Sequence, residues 1–142
     1  MTILRQQLTL ATTQSIEFID LTDAVRAWVR ATGIRDGLLT VTSPHTTARI
    51  TRNEREAELQ RDMTRFLETT APIDGSYGHN VAPVDDRLNA HAHLLGLFMP
   101  ASETIPVADG ELVMGDWQAL FLVELDGPRE ARQVHLQLMG EA

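Results

Sequence analysis

Trp117-Gln118-Ala119-Leu120-Phe121-Leu122-Val123-Glu124-Leu125 and Ala131-Arg132-Gln133-Val134-His135-Leu136-Gln137-Leu138-Met139 read as two long strands. The turn-rich connector Asp126-Gly127-Pro128-Arg129 joins them. Upstream, Thr104 to Val107 and Glu111 to Met114 flank the tight turn Ala108-Asp109-Gly110 and predict a hairpin. Gly37 to Ser43 and Thr47 to Thr51 are extended on either side of Pro44-His45, where a proline suits a strand end or bulge. Nearer the start, Leu4, Gln6, Leu8 and Leu10 alternate loosely with Arg5, Gln7 and Thr9, and Ser15 to Ile19 forms a short strand expected to pair with them.

Helices are fewer. Leu21, Val25, Trp28 and Val29 recur at helical spacing, Asp20 or Thr22 can cap the start, and Gly33 suits a left-handed stop, so a helix is predicted over 22–32. Asn53 is expected to cap a second helix with the apolar face Leu59, Met63, Phe66 and Leu67, ending near Thr70. Residues 71–86 carry two prolines and two glycines and read as a long loop, a kind of segment that often bears function. His91 to Met99 predicts a short third helix before Pro100. No repeat, linker or low-complexity stretch divides residues 1–142, and 43% apolar content over that length suits a single domain.

Composition excludes several functions. Without cysteine there are no disulfides, no thiolate nucleophile and no cysteine zinc ligands, so a bound metal would need His, Asp and Glu. A net charge of −8 and scattered basic residues argue against nucleic acid or an anionic membrane as partner. The first residues lack the basic and apolar regions of a signal peptide, and no run of about 18 apolar residues occurs, which predicts a cytoplasmic protein.

Four of the five histidines lie among acids, hydroxyls and turn residues: His45 in Ser43-Pro44-His45-Thr46-Thr47, His79 in Tyr77-Gly78-His79-Asn80, and His91 and His93 in Asn89-Ala90-His91-Ala92-His93. Such imidazoles suit a divalent-metal or acid/base site. On a helix His91 and His93 diverge by about 200°, so one of the two at most is expected to be a ligand. His135 has Val134 and Leu136 on the opposite strand face and reads as an ordinary surface residue.

The ordered series Pro44-His45-Thr46-Thr47-Ala48, Asn53-Glu54, Arg61-Asp62, His79-Asn80, Asp85-Asp86, Asn89 to His93, Ile105-Pro106-Val107, Gly115-Asp116-Trp117-Gln118 and Glu124-Leu125-Asp126-Gly127-Pro128-Arg129 resembles the YjbQ-like family, some members of which are described as secondary thiamine-phosphate synthases. The resemblance implies an α+β fold, with mostly antiparallel sheet layers packed with two to three helices, and a homotrimer with sites near subunit boundaries. It also implies that His45, His79 and His93 hold a divalent metal, zinc being the expected ion. The implied reaction joins a pyrimidine methyl diphosphate to a thiazole phosphate and releases diphosphate. Around the metal, Thr46, Thr47, Gln118 and Arg129 are the candidate contacts for a small anionic, phosphorylated substrate. In an alternative reading the protein is a metal-dependent hydrolase, with Asp86 or Glu124 accepting a proton from metal-activated water and His45 at the reacting centre. A non-catalytic trimer that binds a small molecule or metal is the third. Two positions depart from the family pattern: Asp116 puts a carboxylate where a small or hydroxyl residue is usual, and Pro100 stands where glycine is usual, which predicts a different exit from the third helix.

Overall fold

The computed structural model describes residues 1–142. In chain order the elements are β1 (Thr2–Leu10), β2 (Glu17–Asp20), α1 (Thr22–Thr32), β3 (Asp36–Thr42), β4 (Ala48–Glu54), α2 (Ala57–Thr70), α3 (Ala90–Gly96), β5 (Ser102–Ala108), β6 (Glu111–Leu112), β7 (Gln118–Glu124) and β8 (Arg132–Glu141). All strand pairings are antiparallel, in a five-stranded sheet ordered β1-β8-β3-β5-β6 and a three-stranded sheet ordered β2-β7-β4. The molecule is thus an α+β domain with two sheets and three helices.

The run Ala119 to Leu125 is buried without a break because β7 is the middle strand of the small sheet, which is covered on both faces. Leu120 and Leu122 pack toward the large sheet, against Leu39, Val41, Leu136 and Leu138, with Val25 and Val29 of α1 completing that core. Their neighbours Ala119, Phe121, Val123 and Leu125 point the other way, toward Leu67 of α2 and Ala92 and Leu95 of α3. Phe18 meets Phe121 edge to face at 6.1 Å. Each large side chain buried this way contributes roughly 1.5–3 kcal/mol, so β7 couples both cores.

β1 and β2 do not pair with each other. β1 pairs with β8, Leu4 opposite Leu138, whereas β2 pairs with β7, Phe18 opposite Val123. Leu4, Leu8 and Leu10 face the core between the sheets, while Ile16 and Phe18 belong to the helix-side core, so one hairpin could not bury both sets. Between them Thr12 is pinned, its N–H donating to the Arg129 carbonyl at 2.7 Å.

α1 spans the predicted residues and stops at Gly33, whose φ of 75° favours glycine. Asp20 accepts from the Thr22 N–H at its start (2.9 Å). The start of α2 differs from expectation: Glu56 is the cap, accepting from the N–H groups of Glu58 and Leu59 at 2.9 and 2.6 Å, while Asn53 and Glu54 remain in β4, paired with β7. No helix is long and apolar enough to cross a membrane.

Candidate functional site

At one end of the two sheets, the connector from β3 to β4 meets the connector from β7 to β8, and the Leu125 N–H donates to the Thr47 carbonyl at 3.1 Å. Beneath this junction Glu124 is fully buried. It accepts from Arg132 Nη2 and Nε at 2.6 and 2.7 Å, from Thr12 Oγ1 at 2.9 Å and from the Asp126 N–H at 2.9 Å. Burial alone would raise its pKa, but Arg132 and these hydrogen bonds hold it below the ordinary value. A carboxylate so fully engaged has no lone pair aimed at solvent, so the expectation that Glu124 serves as a catalytic base is not met. Thr47 is buried too, its hydroxyl accepting from Arg132 Nη2 at 2.9 Å, which removes it from the substrate contacts. Both residues are foundations of the site.

One layer outward lies Asp126, also buried. It accepts from Arg87 Nε (3.1 Å), Asn89 Nδ2 (2.8 Å) and Arg129 Nη2 (2.7 Å). Burial would push its carboxyl up, but the hydrogen bonds from Arg87, Asn89 and Arg129 outweigh that and hold its pKa at about 2. Arg129 therefore spends part of its fork inside the protein, with Nε on the Asp126 carbonyl at 3.1 Å. Arg87 does likewise, Nη2 reaching the same carbonyl at 2.9 Å. In both side chains Nη1 makes no hydrogen bond within the chain. Both guanidiniums pair with the one Asp126 carboxylate, and Asp85 adds a second negative charge near Arg87.

Asn89 carries the network to the histidines. It is buried immediately before α3, and its Oδ1 lies 3.0 Å from His79 Nε2. His79 sits on a single 3-10 turn, Gly78–Asn80, within the long loop. Asn80 Oδ1 in turn accepts from the Ala90 N–H at 3.2 Å, so the turn is fastened to the start of α3 by two asparagines. On the first turns of α3, His93 meets His79 edge to face, ring centroids 5.0 Å apart. Both rings line an open pocket of about 490 Å³ together with Ser76, Tyr77, Ala90 and Leu94. His91 points inward from the same helix, donating through Nε2 to the Leu125 carbonyl at 3.1 Å, with Nδ1 buried and unpartnered. Burial lowers its pKa.

His45 stands apart from this pair. Its Nε2 accepts from the Gln133 N–H at 2.9 Å, so the neutral ring carries its proton on Nδ1 and has no free lone pair for an ion. Burial and then the nearby Arg132 lower its pKa. No three His, Asp or Glu side chains of the chain converge in a metal-binding group, so the expected set of His45, His79 and His93 is not assembled within one protomer. Asp86 is exposed with a φ of 61°, and it is its neighbour Asp85 that accepts from the Arg87 N–H, a local turn contact. Thr46 is exposed beside His45 without a partner in the chain.

Gln118 begins β7 and so lies roughly 20 Å from Glu124, at the ~3.3 Å rise of a strand, where its Oε1 accepts from the Gly115 N–H at 2.9 Å. Asp116 and Trp117 share that remote end with Arg26 and Arg55 around a small pocket, and Trp117 is 78% exposed. The Asp116 carboxylate therefore does not face the histidines. Pro100 is accommodated because the chain leaves α3 without a positive φ, and its carbonyl accepts from the Ile50 N–H at 3.1 Å.

The family model for UPF0047 YjbQ-like proteins matches residues 6–141. The chain belongs to the YjbQ-like UPF0047 family. A UPF0047 protein of Methanothermobacter thermautotrophicus is 40% identical over 141 residues, covering 99% of this chain and 95% of its own. The family's YugU protein of Bacillus subtilis is 34% identical over 134 residues, 94% of this chain and 97% of its own. Among solved structures, a YbjQ-like protein of unknown function from Sulfolobus solfataricus is 37% identical, with a TM-score of 0.92 and 99% of both chains covered. A hypothetical protein from Aeropyrum pernix is also 37% identical, with a TM-score of 0.90 and 97% and 99% covered.

Arg87, Asn89, Asp126 and Arg132 carry no assigned role in the sequence reading, yet they orient the rest. The signals were faint: Asp126 and Arg129 stand three apart in the connector, and Asn89 immediately precedes the two histidines of α3. That Asn89 meets Asp126, 37 residues away, follows from the packing of α3 against β7 and has no local signature.

Proposed function

We propose that this protein is an enzyme acting on a small phosphorylated substrate, with a thiamine-phosphate-synthase-like transfer as its reaction and a divalent ion, zinc the best match, held by His79 and His93. The observation that carries the reading is the His79–His93 pair itself, two imidazoles 5.0 Å apart at a pocket, one of them anchored by a buried amide. A metal-binding histidine commonly gives its other ring N–H to such an acceptor. Two imidazoles are half of a tetrahedral zinc shell, and the donors are of the right chemistry. The remaining positions would fall to solvent, substrate oxygens or a second copy of the chain, in keeping with the homotrimer that the family resemblance implies. When bound, the ion would supply Lewis-acid stabilisation of phosphoryl oxygens.

The chain's own residues do the rest. Arg87 and Arg129 use Nε and Nη2 to hold Asp126 and keep Nη1 as a donor for the oxygens of a departing diphosphate. Asp126, ionised throughout the neutral range, keeps both guanidiniums in place. Hydrolysis is the weaker reading, because Glu124 is saturated with donors and Asp86 is exposed and shares no hydrogen bond with the pair. The cytoplasm, where such phosphorylated precursors occur, is the proposed location.

Purified protein given pyrimidine methyl diphosphate and thiazole phosphate should form thiamine phosphate, His93→Ala should abolish this, and His135→Ala, on the far sheet face, should not. Diphosphate release without thiamine phosphate would favour the hydrolase, and product formation that survives His93→Ala would overturn the assignment of the pair.

A further inference from the structure

Given an ion or proton at the His79–His93 pair, on which the present inference rests for its functional meaning, the two nitrogens of His79 are not equivalent. Asp126 is ionised and therefore accepts only, so the Asn89 atom 2.8 Å from its Oδ2 has to be the amide nitrogen. Turning the amide over would set oxygen against oxygen inside the protein, where Asn89 is 5% exposed. With the amide so fixed, Oδ1 faces His79 Nε2 at 3.0 Å, and an amide oxygen has no proton to give. The proton between them belongs to the imidazole. We infer that Asn89 is a positioning residue that holds neutral His79 in its Nε2-protonated form, so that the bare Nδ1 is the atom offered to an ion or a substrate proton.

Several features make this a built arrangement. The amide is tied at both ends, to Asp126 and to His79, and Asp126 is itself clamped by Arg87 and Arg129. The turn carrying His79 is fastened to α3 independently, through Asn80 and the Ala90 N–H, so loss of the Asn89 side chain need not release the turn. Two other histidines, His45 and His91, receive their protonation pattern from the backbone, from the Gln133 N–H and the Leu125 carbonyl. His79 alone takes it from a side chain that ends in an ion-pair network, which gives this one ring a setting that a single substitution can alter.

The test is a long-range proton–nitrogen correlation spectrum of the full chain labelled with nitrogen-15 histidine, recorded metal-free at about pH 9, well above the ordinary imidazole range. His79→Gln assigns the signals. The wild-type ring is expected to show a protonated Nε2 and a bare, pyridine-type Nδ1. In Asn89→Ala both nitrogens should move toward averaged values, since a net hydrogen bond favours one tautomer by roughly fivefold, and zinc affinity should fall by about 10–100-fold. A merely structural role would leave the tautomer unchanged. A wild-type His79 protonated at Nδ1 would overturn the inference without any variant, as would an unaltered Nε2 proton in a folded Asn89→Ala protein. If the tautomer is as expected but zinc does not bind, the metal assignment fails and the positioning role stands.

Discussion

Asp126 shows how much of the site rests on one carboxylate. Its pKa is about 2 in the folded protein against an ordinary 3.8, so the folded state binds its proton less readily than the unfolded chain does. The stabilisation is therefore complete above about pH 4 and is lost as pH falls toward 2, amounting to about 2 kcal/mol. Urea denaturation from pH 5 to pH 2 should show this loss, and Asp126→Asn should remove that part of the slope while lowering stability at neutral pH. Deeper in, Arg132→Met should cost roughly 3–5 kcal/mol because Glu124 is left charged and unpaired, whereas the double variant with Glu124→Gln should recover much of it. Calorimetry of the three proteins measures the difference. Equal losses in the single and double variants would mean that the pair is not the source of the cost.

β7 is the element on which the fold turns. Phe121 is fully buried in the helix-side core, and Phe121→Ala should destabilise by about 3–5 kcal/mol through the cavity it leaves. On β8, Gly140 sits opposite Gly37, and a Cβ there would lie 2.2 Å from the Asp36 carbonyl, so Gly140→Ala should force the strands apart at a cost of about 1–3 kcal/mol or more. These strands, like α1 and the Asp109–Gly110 turn with its two positive φ values, were legible because local pattern and turn chemistry agree with the final packing. The partner of β2 was not legible: four residues alternate equally well beside β1 or β7, and only the separation of the two cores decides. The start of α2 was misread for a related reason. Asn53 has the chemistry of a cap, but pairing of β4 with β7 as far as Gln118 outcompetes it. Within the site, the histidine segments could be seen in sequence. Which rings meet could not, because His79 and His93 are joined by a loop and a helix start, while His45 is claimed by a backbone amide of β8.

Taken whole, the molecule gathers the candidate site at one end of two sheets and leaves the other end, with Trp117 and Asp116, as a separate surface. If the family resemblance extends to assembly, sedimentation should give three times the 15.8 kDa mass of the chain, and a monomer at all concentrations would contradict it. The pair itself is decided by calorimetric titration of zinc into metal-free protein without a histidine tag. Uptake by the wild type, loss in His79→Ala and in His93→Ala, and retention in His45→Ala is the expected result; undiminished uptake in the first two variants, or loss in His45→Ala alone, would contradict it.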